Sequence, residues 1–210
     1  MRHRHVVIEG AIGCGKTTLA TRIAERMGAA TVLEDAHANP FLPLFYRDMR
    51  RYALPTQLFF LFQRVDQLEV LKQPDLFARP TVTDFSLAKD PIFARLTLDD
   101  AEYQLYSKIH AHVKPQAPVP DLVIYLQASV DVLAHRVKKR GLPMEHGITE
   151  EYLRSLSEAY TRHFYDYADS PLLIVDSDRL DFAHGAAHLD LLLERMDKMR
   201  GGREFFSARA

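Results

Sequence analysis

Val6-Val7-Ile8-Glu9-Gly10-Ala11-Ile12-Gly13-Cys14-Gly15-Lys16-Thr17-Thr18 joins a short apolar run to a glycine-rich turn, and Leu19, Ile23 and Met27 follow at helical spacing. The stretch reads as strand, loop and helix. Residues 10 to 17 fit G-x-x-x-x-G-K-[ST] in the context that spacing requires. Gly10, Gly13 and Gly15 let the backbone turn with its N–H groups inward, a concavity suited to polyphosphate oxygens. The helix that begins near Lys16 adds its positive dipole end. Residues Gly10, Ala11, Ile12, Gly13, Cys14, Gly15, Lys16, Thr17 and Thr18 are therefore the candidate ATP-binding segment. Lys16 can reach the β- and γ-phosphates, and the Thr17 hydroxyl is placed to ligate a bridging Mg²⁺.

Outward from this loop, the chain of 210 residues fits one domain, 1–210, with a sizeable core. With 27 basic against 28 acidic residues, no global charge points to nucleic acid or an anionic membrane, so anion binding must be local. The only cysteine, Cys14, excludes an internal disulfide and suits a reducing cytoplasm. No signal peptide is visible, and no apolar run approaches the ~20 residues that span a bilayer. A cytoplasmic protein is expected.

Strands are predicted at residues 4–9, 31–34, 81–83, 122–126 and 172–175, with helices between them. Such alternation implies a parallel five-stranded sheet with helices on both faces. Ligands gather at the carboxyl ends of such strands, which draws attention to two strand-end carboxylates, Glu34 and Asp84. Residues 44–52 read as a helix, and Pro55 as the first-turn residue of a longer one through Leu71. The run Leu58-Phe59-Phe60-Leu61-Phe62 is apolar on several faces, so that helix should be mostly buried, with one side open to a subunit partner. Helices are also expected at 98–113, 130–140, 150–167 and 184–197, with a proline cluster at Pro115, Pro118 and Pro120. Residues 141–148 read as a mobile polar stretch and 201–210 as a loose tail.

The chain resembles the P-loop deoxynucleoside kinases, the family of deoxycytidine, deoxyguanosine and deoxyadenosine kinases. The resemblance runs from Ile8-Glu9-Gly10 through Asn39-Pro40-Phe41-Leu42 and Tyr46, Gln57 with Arg64, and Asp90 with Phe93-Ala94, to His135-Arg136 and Gly147-Ile148. Length and the Asp84-Phe85-Ser86 wording are most like the short bacterial branch acting on purine deoxynucleosides. It implies an ATP-dependent kinase acting on the 5′-hydroxyl of deoxyadenosine or deoxyguanosine, with deoxycytidine possible, and a homodimer.

Residue by residue, the resemblance implies that Glu34 accepts the proton of the attacking hydroxyl. Asp84 matches the acidic position that holds Mg²⁺, together with Thr17. At Phe85 many relatives carry an arginine beside the reacting oxygen, so something else must orient Glu34. Gln57 and Arg64 lie seven residues apart, nearly two helical turns or roughly 10 Å, and so share a face on which a flat base can lie. The Gln57 amide offers donor and acceptor together, and Arg64 can donate to purine N7 or O6. Asp90 should hold Arg64 in plane and disfavour thymine, Phe93 should stack on the base, and Tyr46 with Glu145 should take the sugar 3′-hydroxyl. Arg136 and Arg140 share a helix face beside Lys138 and Lys139 and match lid arginines, with the lid at about 136–148. A further family arginine is absent at Leu142. His110 and His112 read as exposed, and Cys14 as a small filler.

Two other readings share the loop. A nucleoside monophosphate kinase of thymidylate type would need acceptor cations, which Arg47, Arg50 and Arg51 could supply. A nucleotide-driven switch would have no small-molecule acceptor.

Overall fold

β1 (His5–Gly10) and β4 (Leu122–Gln127) are buried along almost their whole lengths rather than at alternate residues, as expected of strands covered on both faces. The computed structural model describes residues 3–72, 79–113, 118–180, 182 and 185–207. The strands β2 (Ala30–Val32), β3 (Thr81–Thr83), β5 (Leu172–Asp176) and β6 (Arg203–Phe206) complete a parallel sheet in the order β2-β3-β1-β4-β5-β6. The chain leaves β1 toward one edge and later crosses to the other, so the carboxyl ends of β1 and β3 open on the same crevice. The main helices are α1 (Lys16–Met27), α2 (Leu42–Phe45), α3 (Met49–Lys72), α4 (Asp90–Thr97), α5 (Asp100–Val113), α6 (Val130–Arg140), α7 (Glu150–Tyr165) and α8 (Ala186–Lys198).

Three expectations are corrected. The sheet has six strands, not five, because residues 203–206 of the expected loose tail pair in register with β5. Backbone hydrogen bonds, an Arg195–Glu204 ion pair at 2.7 Å and the half-buried Phe206 offset the cost of ordering so short an edge strand; residues 208–210 of that tail lie outside the described residues. Pro55 does not open a helix but lies inside α3. Its missing N–H costs about 3 kcal/mol in a helix interior, and burial of Ala53 and Phe60 against Leu42 and Phe45 works against that cost. His110 is buried, and its Nε2 lies 3.0 Å from the Leu87 carbonyl oxygen, so the ring donates there.

Other expectations match closely. Leu61 is buried as the long helix required, while Phe62 is 51 % exposed. Pro115 and residue 184 lie outside the described residues. Thr149 caps α7 by accepting from the Tyr152 N–H at 3.1 Å. The helix expected at 44–52 is interrupted, α2 ending at Phe45 and α3 beginning at Met49, while the remaining helix starts and ends fall within a few residues of the sequence reading.

Candidate active site

The loop after β1 closes against β4 and α6 because glycine leaves room there. A Cβ on Gly10 would stand 2.6 Å from the Leu126 oxygen, and one on Gly13 would stand 2.8 Å from the Leu133 oxygen. Both also have positive φ, 149° and 87°. Lys16 Nζ donates to the Gly10 and Ala11 carbonyls at 2.8 and 3.2 Å, lying over the cradle it would share with phosphate oxygens. Cys14 is buried beneath the loop, and burial pushes its thiol pKa up, against the pull of Lys16. A cleft over the loop is bounded by Arg136, Lys139, Arg140, Leu180 and Phe182.

Beside the cradle, Thr17 Oγ1 donates to Asp84 Oδ2 at 2.5 Å, and the Glu34 N–H donates to Asp84 Oδ1 at 2.8 Å. β2 and β3 pair in register through Val32 and Thr83, which brings Glu34 and Asp84 together just past the strand ends. Hydroxyl and carboxylate oxygens side by side at a phosphate cradle fit a hard divalent cation such as Mg²⁺, which takes few protein ligands and keeps phosphates and waters for the rest.

Glu34 is also one corner of an ion-pair network. Arg64 donates to Glu34 Oε1 from Nε at 2.7 Å and lies 2.6 Å away through Nη2. Lys89 Nζ lies 3.0 Å from Oε1 and 3.1 Å from Oε2. Arg64 Nη1 is paired with Asp90 Oδ1, and the buried Asp90 Oδ2 has no hydrogen-bond partner among the described residues. Burial works against the charge on Glu34, but Arg64 and then Lys89 outweigh it and hold the carboxyl at about 2. Burial lowers the Lys89 pKa, against the opposing pull of Glu34.

A second pocket adjoins the cradle, shares Gly13, Lys16 and Thr17 with it, and adds Glu34 and Asp84. It brings together Tyr46, Gln57, Arg64, Phe93 and Glu145. Gln57 and Arg64 do share a wall, both nearly fully buried. Phe93 meets Tyr160 edge-on, ring centres 6.1 Å apart, so one edge is core and the rest faces the pocket. The two arginines expected to serve a lid diverge. Arg136 is tied to the Cys14 carbonyl at 3.3 Å and the Ser177 carbonyl at 2.7 Å. Arg140 instead forks onto Glu145, Nε to Oε2 at 3.0 Å and Nη2 to Oε1 at 2.5 Å, and it lines both clefts. The stretch 141–148 folds into a short turn, Pro143–Glu145, and Gly147 packs so closely that a Cβ there would lie 2.4 Å from the Tyr46 backbone carbonyl oxygen.

Three residues at this site escaped the sequence reasoning. Lys89 is one; its only signal is a lone cation in Leu87-Ala88-Lys89-Asp90-Pro91-Ile92-Phe93, just past a strand-end acid. Tyr152, at the start of α7, is another. The third is Glu9, an acid inside the apolar β1 run. It is fully buried and accepts from Ser86 N at 2.7 Å, Ser86 Oγ at 2.9 Å and Tyr160 Oη at 3.2 Å, tying the cradle to the loop after β3. Burial raises its pKa, against Lys89 and Lys16.

Sheet, cradle and adjoining polar pocket together define a P-loop phosphotransferase. Within that class the deoxynucleoside kinase family model matches residues 6–199, and the chain belongs to the deoxynucleoside kinase family. It is 35 % identical over 182 residues to a deoxyguanosine kinase of Bacillus subtilis, covering 84 % of this chain and 88 % of that one. It is 30 % identical over 210 residues to a deoxyadenosine kinase of Lactobacillus acidophilus, covering 93 % and 96 %. The structure of deoxyadenosine kinase from M. mycoides with products dCMP and a flexible dCDP bound superposes with a TM-score of 0.82 at 27 % identity, covering 93 % of this chain and all of that one. The same enzyme with bound dATP gives 0.80, covering 92 % and 100 %.

Proposed function

We propose that this protein transfers the γ-phosphoryl group of ATP to the 5′-hydroxyl of a deoxynucleoside, deoxyadenosine or deoxyguanosine above all, with deoxycytidine accommodated and thymidine disfavoured. One observation carries the reading: Glu34 and Lys16 line the same pocket as Gln57, Arg64 and Phe93, so a base lying against α3 aims its primary alcohol at the cradle. Thr17 and Asp84 would hold Mg²⁺, which neutralises charge on the bridged phosphates. Glu34, held ionised by two cations, suits a loose phosphoryl-transfer transition state. There the carboxylate chiefly orients the hydroxyl and takes its proton late, so strong basicity is not required.

Three of the five Arg64 N–H groups are engaged by Glu34 and Asp90, leaving two for purine N7 or O6. Asp90 Oδ2, buried without a partner among the described residues, can accept from an exocyclic amine and has nothing to offer the thymine methyl or O4. Tyr46 and Glu145 would take the 3′-hydroxyl. The cations of the pocket favour a nucleoside over a nucleotide acceptor, because Arg64 and Lys89 are matched by Glu34 and Asp90, and Arg140 by Glu145. Among the described residues lining the pocket that leaves Lys16, which the donor phosphates would occupy.

No helix among the described residues is long and apolar enough to cross a membrane, and we place the protein in the cytoplasm as a homodimer, with the exposed Phe62 on α3 at the subunit contact. The test is one assay with ATP and Mg²⁺ across the four deoxynucleosides, adenosine and deoxyadenosine monophosphate. Phosphorylation of the purine deoxynucleosides above thymidine and above the monophosphate is expected. Preference for the monophosphate would overturn the proposal.

A further inference from the structure

Lys89 stands against both carboxylate oxygens of Glu34. It is 3 % exposed. A buried ammonium costs several kcal/mol unless it is paired, and its chain neighbours Leu87 and Ile92 are apolar, so packing alone would not call for a lysine. Chain order explains the placement. Lys89 ends the turn Leu87–Lys89 and Asp90 begins α4, so one dipeptide presents a cation to Glu34 and an anion to Arg64. Phe85 supplies nothing to that carboxylate, since it is fully buried in the apolar cluster of Leu61, Leu68 and Leu87.

Arg64 by itself is a poor anchor. It contacts only Oε1 of Glu34, is shared with Asp90, and has a base to read in the proposed reaction. Lys89 reaches both oxygens and has no contact with the base to make. We propose that Lys89 is the positioning residue for Glu34, clamping both carboxylate oxygens so that the group stays aimed at the 5′-hydroxyl whatever base engages Arg64. This rests on the role of Glu34 proposed above.

A kinetic double-mutant cycle on the full chain tests it, using Glu34→Gln, Lys89→Met and the pair, with ATP, Mg²⁺ and the best of the four deoxynucleosides. Lys89→Met should lower kcat by about tenfold to a hundredfold while KM for both substrates stays within about threefold. In the Glu34→Gln background the same change should cost less than about threefold, because the group it positions is gone. Lys89→Gln, one atom shorter but keeping an N–H donor without the charge, should lose as much kcat as Lys89→Met, and it carries the cycle if the Met variant does not fold. Lys89→Arg should restore part of the loss. A Lys89→Met or Lys89→Gln enzyme with kcat within about threefold of the parent, or losses that multiply fully in the double variant, would overturn the inference. Full kcat in Glu34→Gln alone would overturn the reading of Glu34 instead, and Lys89 would then have nothing to position.

Discussion

The donor cradle and the acceptor pocket share a wall but are built by opposite means. Nine consecutive residues make the cradle, mostly with backbone groups and glycines, and its shape is fixed by contacts with Leu126 and Leu133. The acceptor side draws Glu34, Tyr46, Gln57, Arg64, Lys89 and Asp90 from four separate stretches of chain and ties Glu34, Arg64, Lys89 and Asp90 together with buried charge. In the proposed reaction a ligand common to many enzymes, triphosphate, is met by a local and generic device. The distinctive ligand is met by a non-local one in which each charge depends on the next.

That contrast can be sharpened by variants. The largest effect is expected for Glu34→Gln, which should lower kcat by about 10²- to 10⁴-fold with ATP affinity unchanged, checked by steady-state rates and equilibrium ATP binding. If ATP affinity fell with it, the two sides would not be separable. Next, Arg64→Met with Asp90→Ala should admit thymidine. Removing both members leaves no orphaned charge between them, and relative kcat/KM for thymidine over deoxyadenosine should rise by up to about 10⁴-fold. No gain would break the base-reading scheme.

A smaller effect follows at residues 141–148. Gly147→Ala would bring a methyl within 2.4 Å of the Tyr46 backbone carbonyl oxygen, and the resulting shift should raise KM for the deoxynucleoside by about tenfold, with KM for ATP little changed. The smallest is expected far from both sides. Phe206→Ser on β6 should lower the melting temperature by about 2–4 °C for each kcal/mol lost, leaving kcat intact.

How much of this was legible in the sequence follows from the same contrast. The cradle is local, so spacing alone predicted it, and apolar runs located five of the six strands. β6 escaped because Gly201-Gly202 reads as a loose end, and the strand it introduces is held by backbone pairing to β5 rather than by a pattern of its own. The break expected at Pro55 followed a real local preference that packing of Ala53 and Phe60 overrides. On the acceptor side, Gln57, Arg64 and Asp90 came from the family resemblance, and the structure brings Arg64 and Asp90 into an ion pair as that resemblance implied. Lys89 could not be found that way. Its partner Glu34 lies 55 residues upstream, and no periodicity encodes an ion pair between two loop ends.

Cys14 has a practical corollary. The chain has this one thiol; it is buried beneath the loop and kept protonated by its surroundings, so maleimides and similar reagents should find almost no thiolate on the native parent. A single cysteine introduced at the exposed His146 would then carry a fluorophore or spin label without background, giving the position of the stretch beside Arg140 an optical or magnetic signal.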